Sequence, residues 1–235
     1  MSTEIIFPLD VSDIKQALKH VELLKDHVKV FKIGLELFVN AGPDAIRAVL
    51  DAGGRSIFLD LKFHDIPETV RRALQSPYIK DVEFVTVHSC DGLNILSAAA
   101  KSVSPNTKIL GVTVLTSLSE NEMKDTLLVR EDLSMLNLVL HRAKMVKDAG
   151  CSGIVCSGHE VSRIKELFGT EFITVVPGVR PLWSLVKGDD QSRIVTPRDA
   201  AQKGADYIVV GRPIRDARDP VEAVRMIQDE ITSSW

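Results

Sequence analysis

The sequence predicts a single (β/α)8 barrel of the TIM type, and three observations lead to this fold class. The chain has 235 residues, a length that single α/β barrels commonly have. Short apolar runs rich in β-branched and aromatic residues alternate with runs whose apolar residues recur at helical spacing. No stretch rich in Pro, Gly and Ser divides the chain, so we expect one domain over residues 1–235.

Eight strands are predicted, at residues 5–9, 28–33, 56–61, 84–88, 109–115, 153–156, 172–176 and 207–210. Helical patterns separate them, with the clearest at residues 14–24, 133–146, 161–167 and 221–227. The strands are continuously apolar, which is typical of a parallel sheet covered by helices. An open doubly wound sheet is the alternative, but the first strand–helix turn has no G-x-G-x-x-G pattern.

Composition excludes several functional classes. Hydrophobic residues make up 45% and charged residues 26% of the chain, as in ordinary globular proteins, and the net charge of −3 does not favour a nucleic-acid partner. The N-terminal residues lack the pattern of a signal peptide, and no window approaches the ~18 apolar residues of a membrane span. We therefore expect a cytoplasmic enzyme with no membrane partner.

The most informative stretch lies at the end of the third predicted strand. Asp60, Lys62 and Asp65 follow its apolar residues, and charges at the end of a buried strand are costly unless they pair. Asp60 and Lys62 are two positions apart, so an extended chain projects them from the same face. Asp65 falls in a turn before a helix that Pro67 favours as its first residue. Such a carboxylate–ammonium–carboxylate set can tune a lysine into a proton donor.

Other charged residues fall in or after neighbouring predicted strands, where the sites of such barrels lie. Asp10 follows the first strand and Lys32 lies in the second. Alone, this pair is equally explained by a structural salt bridge at the barrel rim. With Asp60 and Lys62 beside it, a functional network is favoured. His88, which ends the fourth strand, has two interpretations, as a catalytic group or as a hydrogen-bonded packing residue.

The sequence does not predict a metal site or another cofactor. The His, Asp and Glu residues show no metal-ligand spacing beyond the acids named above, and the neighbouring lysines would repel a cation. His64 is interpreted as structural. The three cysteines have no CxxC spacing, so neither a disulfide framework nor a structural zinc site is expected. Cys151 and Cys156 are interpreted as small buried hydrophobic residues.

A second pattern predicts an anion site. Barrels that hold phosphate usually bind it with the loops after strands seven and eight, and here those loops contain Gly178-Val-Arg180 and Gly211-Arg212. Glycine lets backbone N–H groups approach phosphate oxygens, and arginine adds a bidentate fork. Gln191 lies on a long irregular stretch of the kind that often forms a lid. We therefore expect a phosphorylated small-molecule substrate.

Together these motifs resemble the orotidine 5′-phosphate decarboxylase family over nearly the whole chain. The resemblance rests on Pro8-Leu-Asp10, Phe31-Lys32-Ile-Gly34, Asp60-Leu-Lys62-Phe-His-Asp65-Ile-Pro-Glu-Thr69, Val114-Leu-Thr116-Ser117, Val176-Pro-Gly178-Val-Arg180-Pro181, Gly188-Asp-Asp-Gln191 and Val210-Gly211-Arg212-Pro213-Ile214. The Asp-x-Lys-x-x-Asp core also occurs in barrel decarboxylases and aldolases that act on sugar phosphates, and the longer segments narrow the match. The turn His88-Ser-Cys-Asp-Gly92 departs from the small Ala/Gly-rich turn expected for the family.

The resemblance implies a reaction and a set of roles. The reaction is removal of CO2 from C6 of orotidine 5′-monophosphate to give uridine 5′-monophosphate, the last step of pyrimidine nucleotide synthesis, with no cofactor. Lys62 would donate the proton to C6, within a network completed by Lys32, Asp60 and Asp65. The implied binding residues are Asp10 and Lys32 for the ribose, Thr116 for the pyrimidine, and Arg180, Gln191, Gly211 and Arg212 for the phosphate and its closing loop.

The resemblance also implies a homodimer with composite active sites, because Asp65 and Thr69 of this family reach the site of the neighbouring subunit. Two other functions stay open at this point. One is a sugar-phosphate decarboxylase or aldolase of the same superfamily, which would use a divalent metal. The other is a barrel that binds a nucleotide without catalysis.

Overall fold

The predicted strands form a closed parallel barrel in chain order in the computed structural model, which describes residues 3–127, 132–184 and 193–233. Each strand pairs with the next along the chain, and the first pairs with the last. The strands are β1 Glu4–Pro8, β2 Val30–Gly34, β3 Ser56–Phe63, β4 Phe84–His88, β5 Lys108–Val112, β6 Gly153–Val155, β7 Ile173–Val176 and β8 Tyr207–Val209. The fold class predicted from the sequence is confirmed.

Helices follow the strands and cover the outside of the barrel. They are α1 Ile14–Leu24, α2 Leu35–Ala41, α3 Asp44–Asp51, α4 Pro67–Leu74, α5 Leu93–Ala100, α6 Glu120–Leu127, α7 Met135–Asp148, α8 Val161–Phe168, α9 Pro197–Gln202, α10 Arg212–Arg215 and α11 Pro220–Thr232. Helix α4 begins at Pro67, as predicted. Among the described residues, none of the helices is both long and apolar enough to cross a membrane.

Two apolar layers hold the barrel together. The inner layer fills the barrel below the site and consists of Ile6, Val30, Phe58, Phe84, Leu110 and Val175. Phe58 and Phe84 meet edge to face, with ring centroids 6.0 Å apart, a favoured aromatic geometry. The outer layer lies between the strands and the helices, with residues such as Phe31 and Val146 buried in it. Side chains alternate between the two faces of a strand. The inward-facing residues that lie nearer the carboxyl ends of the strands than the inner layer therefore point into the barrel mouth.

Strand β3 departs from regular pairing before it reaches the mouth. Leu59 pairs with Val85, whereas Phe63 pairs with Val87, so the intervening part of β3 carries two additional residues. Within this bulge, Lys62 has φ of 51° and is the one residue other than glycine with positive φ in the described ranges. Bulges re-aim side chains near active sites. The simple alternation expected from the sequence therefore ends at the bulge, although Asp60 and Lys62 still meet.

Candidate functional site

Four charged side chains form a continuous chain of ion pairs at the mouth. The ammonium of Lys32 lies 3.0 Å from Oδ1 of Asp10 and 3.6 Å from Oδ2 of Asp60. The same Oδ2 atom accepts a hydrogen bond from Nζ of Lys62 at 2.9 Å. The sequence predicted this convergence from strands β1, β2 and β3, and the structure brings the four groups together.

The central carboxylate of this chain stays ionised. Burial of Asp60 raises its pKa, but the charges of Lys32 and Lys62 and the hydrogen bonds from Lys62 and Thr86 together outweigh burial, so the pKa is lowered. Lys32 is itself buried, with 9% of its surface exposed. The network therefore pairs opposite charges in a setting where isolated charges would be costly.

Thr86 was missed by sequence reasoning. Its hydroxyl donates to Oδ1 of Asp60 at 3.0 Å and accepts from the backbone N–H of Lys62 at 2.9 Å. Thr86 lies in the middle of β4 and is fully buried. A threonine within an apolar strand is a weak signal, and only the cross-strand register assigns it to the site.

Glycine at position 34 makes room for the lysine of β2. A Cβ added there would lie 2.9 Å from Nζ of Lys32 and 3.2 Å from Oδ1 of Asp10. Any larger residue would displace one of these groups. Gly211, which follows β8, has a similar role beside β1, because a Cβ there would lie 2.9 Å from Cγ of Pro8.

The larger of two cavities at the mouth has a volume of about 410 Å³. It reaches from the charged network to the loops after β7 and β8, and its lining includes Gly178, Arg180, Gly211 and Arg212. The predicted anion-binding residues are thus brought together, apart from Gln191, which lies outside the described residues. Gly178 has φ of 71°, a conformation that glycine adopts without strain.

Arg215 lines the same cavity and was also missed. It follows Arg212 by one turn of α10. Its Nη1 donates to the backbone carbonyl of Asp10 at 3.2 Å, and its Nε donates to Asp216 at 2.7 Å. Because a second arginine after a Gly-Arg element also fits an exposed helix face, the sequence alone did not single it out.

The smaller cavity, of about 190 Å³, adjoins the first and is lined mainly by apolar groups. Lys32, Asp60, Pro177 and Val209 border both cavities. The remaining lining residues are Phe58, Lys62, Val112, Val114, Leu115, Thr116, Ser117 and Val155. A ligand with one charged end and one flat, weakly polar end could therefore span the two.

Two predicted site residues do not join this site within one chain. Asp65 is exposed, and its Oδ1 accepts from the backbone N–H of Ile66 at 2.7 Å. Thr69 is exposed on α4. Both are absent from the described linings of the two cavities. The neighbouring Ile66 is 67% exposed, so this segment presents both polar and apolar groups to the outside.

His88 and His64 lie beside the network rather than in it. Their ring centroids are 5.3 Å apart. Burial lowers the pKa of His88, and the neighbouring His64 and Lys62 lower it further, so His88 is neutral near pH 7. Nε2 of His64 lies 3.1 Å from Oδ1 of Asp91. Neither histidine is among the described residues that line the two cavities.

The fold and the site together define a class: a (β/α)8 barrel with a charged, two-part pocket at the carboxyl ends of its strands. Residues 3–227 match the family described as orotidine 5′-phosphate decarboxylase / HUMPS. The chain belongs to this family, which confirms the resemblance found in its motifs.

Curated relatives match along almost the full chain. An orotidine 5′-phosphate decarboxylase of Desulfosudis oleivorans is 47% identical over 229 residues, covering 97% of this chain and 92% of that protein. One from Pelobacter propionicus is 41% identical over 235 residues, covering 98% and 95% of the two chains.

A solved structure supports both fold and family. The crystal structure of orotidine 5′-phosphate decarboxylase from Lactobacillus acidophilus superposes with a TM-score of 0.83 at 35% identity, covering 98% of this chain and all of that one. The enzyme of Methanocaldococcus jannaschii, complexed with the inhibitor BMP, is 22% identical with a TM-score of 0.78 and shows the shared fold.

Proposed function

We propose that this protein decarboxylates orotidine 5′-monophosphate to uridine 5′-monophosphate and CO2, in the cytoplasm, with Lys62 as the proton donor. The observation that carries the proposal is the ammonium of Lys62, held 2.9 Å from Asp60 at the border of an apolar cavity. The family, and relatives at 41–47% identity that carry this activity in their names, support the reaction class.

The two cavities suit the two ends of this substrate. The phosphate would lie in the larger cavity, against Arg180, Gly211 and Arg212, where backbone N–H groups and guanidinium forks can bind its oxygens. The pyrimidine would lie in the smaller cavity, with Thr116 at its polar edge. The ribose would then pass Asp10 and Lys32, which are 3.0 Å apart where the cavities meet.

The proposed decarboxylation requires stabilisation of a negative charge that develops on C6. Loss of CO2 breaks the bond between C6 and the carboxyl group and leaves the electron pair of that bond on C6. The ring has no neighbouring group that can delocalise these electrons, as a cofactor imine would. An ammonium aimed at C6 stabilises that charge and then transfers a proton to it. This role needs the ammonium form of Lys62, and Asp60 holds its Nζ at 2.9 Å.

Asp60 would have a second effect, on the substrate. The lowered pKa of Asp60 keeps its carboxylate charged at neutral pH. A substrate carboxylate ~4 Å away would be repelled by roughly 4 kcal/mol at an effective dielectric constant of ~20. Departure of neutral CO2 relieves this repulsion, and the phosphate contacts at the far end supply binding energy to hold the substrate in place.

The proposal includes a homodimer in which Asp65 and Thr69 complete the partner's site. It is supported by the exposure of both residues and of Ile66 beside them, outside their own pocket. A mixture of Lys62→Ala and Asp65→Ala chains tests it. One site of each mixed dimer would be intact, so random pairing should restore about a quarter of wild-type activity from two inactive proteins. No rescue after confirmed subunit exchange would contradict shared sites.

The direct test is a spectrophotometric assay of orotidine 5′-monophosphate with and without a chelator. We expect turnover that survives EDTA. Turnover that EDTA abolishes and a divalent metal restores would instead favour the metal-dependent sugar-phosphate branch of the superfamily. Tight nucleotide binding without turnover would favour the non-catalytic barrel.

A further inference from the structure

Three side chains with metal-binding chemistry meet beside the site, in a group to which the proposed reaction gives no role. His64 follows the last residue of β3, His88 ends β4, and Cys90 lies two residues further in the turn before α5. Because β3 and β4 are adjacent parallel strands, their carboxyl ends lie side by side. The cysteine belongs to the turn that departs from the small residues expected for the family.

The separations suit one ion. One ligand atom from each of His64, His88 and Cys90 lies within 4.8 Å of the other two. Tetrahedral zinc at ~2.0–2.3 Å from nitrogen and sulfur places ligand atoms roughly 3.5 Å apart. His64 and Cys90 are exposed, so modest side-chain rotations can close the difference.

A carboxylate lies against two of the three groups. Oδ1 of Asp91 is 3.1 Å from Nε2 of His64, and its Oδ2 accepts a weak hydrogen bond from Sγ of Cys90 at 3.8 Å. A carboxylate in this position can orient a ligating histidine or occupy a coordination position itself. Two imidazoles, a thiol and a carboxylate form the ligand set that zinc and its neighbours prefer.

Positive charge near the cluster does not exclude a cation. Lys62 contributes a positive field at His88, but its ammonium is paired with Asp60 at 2.9 Å. Arg142 also lies near the turn, and it donates to the backbone carbonyl of Thr113 at 2.5 Å. A thiolate and the Asp91 carboxylate would supply two negative charges to the bound ion.

We propose that His64, His88 and Cys90, supported by Asp91, form a binding site for a zinc-class divalent cation. Binding exchanges the thiol proton of Cys90 for a metal–sulfur bond and releases that proton to solvent. The ion joins the end of β3 to the turn after β4, two residues beyond Lys62. It would therefore fix the backbone segment that leads from Lys62 to the exposed Asp65. The proposal departs from the expectation, drawn from cysteine spacing, that the chain has no structural zinc site.

The test is titration of the reduced, full-length protein with Co²⁺, which substitutes for zinc and reports its ligands by absorption. We expect one Co²⁺ per chain, a sulfur-to-metal charge-transfer band in the near ultraviolet, and visible bands of tetrahedral intensity. Competing Zn²⁺ should remove both. Asp91→Asn should weaken binding about 10- to 100-fold.

Variants separate this site from other thiols and imidazoles. Cys90→Ser should abolish the charge-transfer band, because Cys151 and Cys156 are buried in the barrel wall. His64→Gln, a change at an exposed position, should weaken Co²⁺ binding at least about tenfold. His27→Gln is the matched control, since His27 lies in the α1–β2 turn at the opposite end of the barrel.

Several outcomes would overturn the proposal. The first is Co²⁺ binding without a thiolate charge-transfer band, and the second is a band that persists in Cys90→Ser. The third is a Co²⁺ titration whose midpoint concentration is the same in His64→Gln and in the parent protein. A zinc-dependent rise in melting temperature that is equal in Cys90→Ser and the parent would also contradict it. None of these readouts depends on decarboxylase activity.

Discussion

The two sides of the barrel mouth carry charge in different ways. On the side of β1 to β3, Asp10, Lys32, Asp60 and Lys62 alternate in sign and pair with one another at 2.9–3.6 Å. On the side of β7 and β8, the larger cavity is lined by three arginines, Arg180, Arg212 and Arg215. On the first side opposite charges alternate and pair with one another, whereas on the second side three guanidinium groups border the cavity.

This difference separates chemistry from binding. A network that satisfies its own charges is rigid and can hold an ammonium at a fixed point, which is what electrostatic catalysis requires. A group of cations around a cavity gives affinity for a phosphorylated ligand. Substitutions on the first side should therefore lower kcat, and substitutions on the second should act through substrate binding. The following changes test that division.

The largest effect is expected for Lys62→Ala. If Lys62 is the proton donor proposed above, its removal should lower kcat by about 10³-fold or more, since proton transfer and charge stabilisation each contribute on that order. Affinity for uridine 5′-monophosphate, measured by calorimetry, should change little. Lys19→Ala, at an exposed position of α1, is the matched control. A Lys62→Ala protein with near-normal kcat would contradict the assignment of the proton donor.

Asp60→Asn should lower kcat by about 10²-fold and also destabilise the fold by about 3 kcal/mol, because two ammonium groups lose their shared partner. The stability difference depends on pH. The pKa of Asp60 is lowered in the folded protein, so its contribution is present above its unfolded value of 3.8 and is lost as pH falls through the folded value.

Denaturant unfolding of the parent protein and of Asp60→Asn, at pH 7 and at successively lower pH, measures the difference in their free energies of unfolding. Plotted against pH, the two free energies should converge on acidification. A difference that stays constant across the range would mean that the loss arises from packing rather than from charge.

Arg212→Ala should reduce kcat/KM by about 10- to 100-fold, since hydrogen bonds to charged groups contribute about 1.5–3 kcal/mol. The loss should be confined to phosphorylated ligands and should vanish for the nucleoside orotidine. Arg218→Ala, at an exposed position in the α10–α11 turn, is the control. Equal losses of kcat/KM for the nucleotide and the nucleoside would contradict the assignment of phosphate binding to the side of β7 and β8.

The smallest effect is expected for Thr86→Val. It leaves Asp60 and the Lys62 backbone N–H without their hydroxyl partner, which should cost about 1–2 kcal/mol and lower kcat roughly tenfold. Thr86→Ser keeps the hydroxyl and should retain most of the rate. If the serine variant is as impaired as the valine variant, the methyl group and its packing matter more than the hydrogen bonds.

The sequence predicted the barrel well, because the alternation of apolar strand-like runs with helical patterns can be read from neighbouring residues alone. The eight strands overlap those observed, with boundaries that differ by up to three residues, as at 109–115 against Lys108–Val112. The charged residues of the site were predictable because polar groups at the ends of apolar strands are conspicuous. These end positions meet in any parallel barrel.

What the sequence did not yield depends on register and on neighbouring strands. Thr86 joins the site only through its cross-strand bonds, and the bulge in β3 has no glycine or other local marker. The cluster of His64, His88 and Cys90 needs two strand ends side by side, so residue spacing along the chain could not reveal it. The roles of Asp65 and Thr69 stay predictions, because they depend on a second chain.

The left-handed backbone of Lys62 implies a trade-off between stability and function. With φ of 51°, this position would suit glycine, and a side chain there costs about 1 kcal/mol or more. The chain thus keeps a lysine in a strained backbone position, where its ion pair with Asp60 offsets the cost of the strain. Lys62→Gly should consequently unfold at a higher temperature than Lys62→Ala, because both variants lose the ion pair and only the alanine keeps the strain.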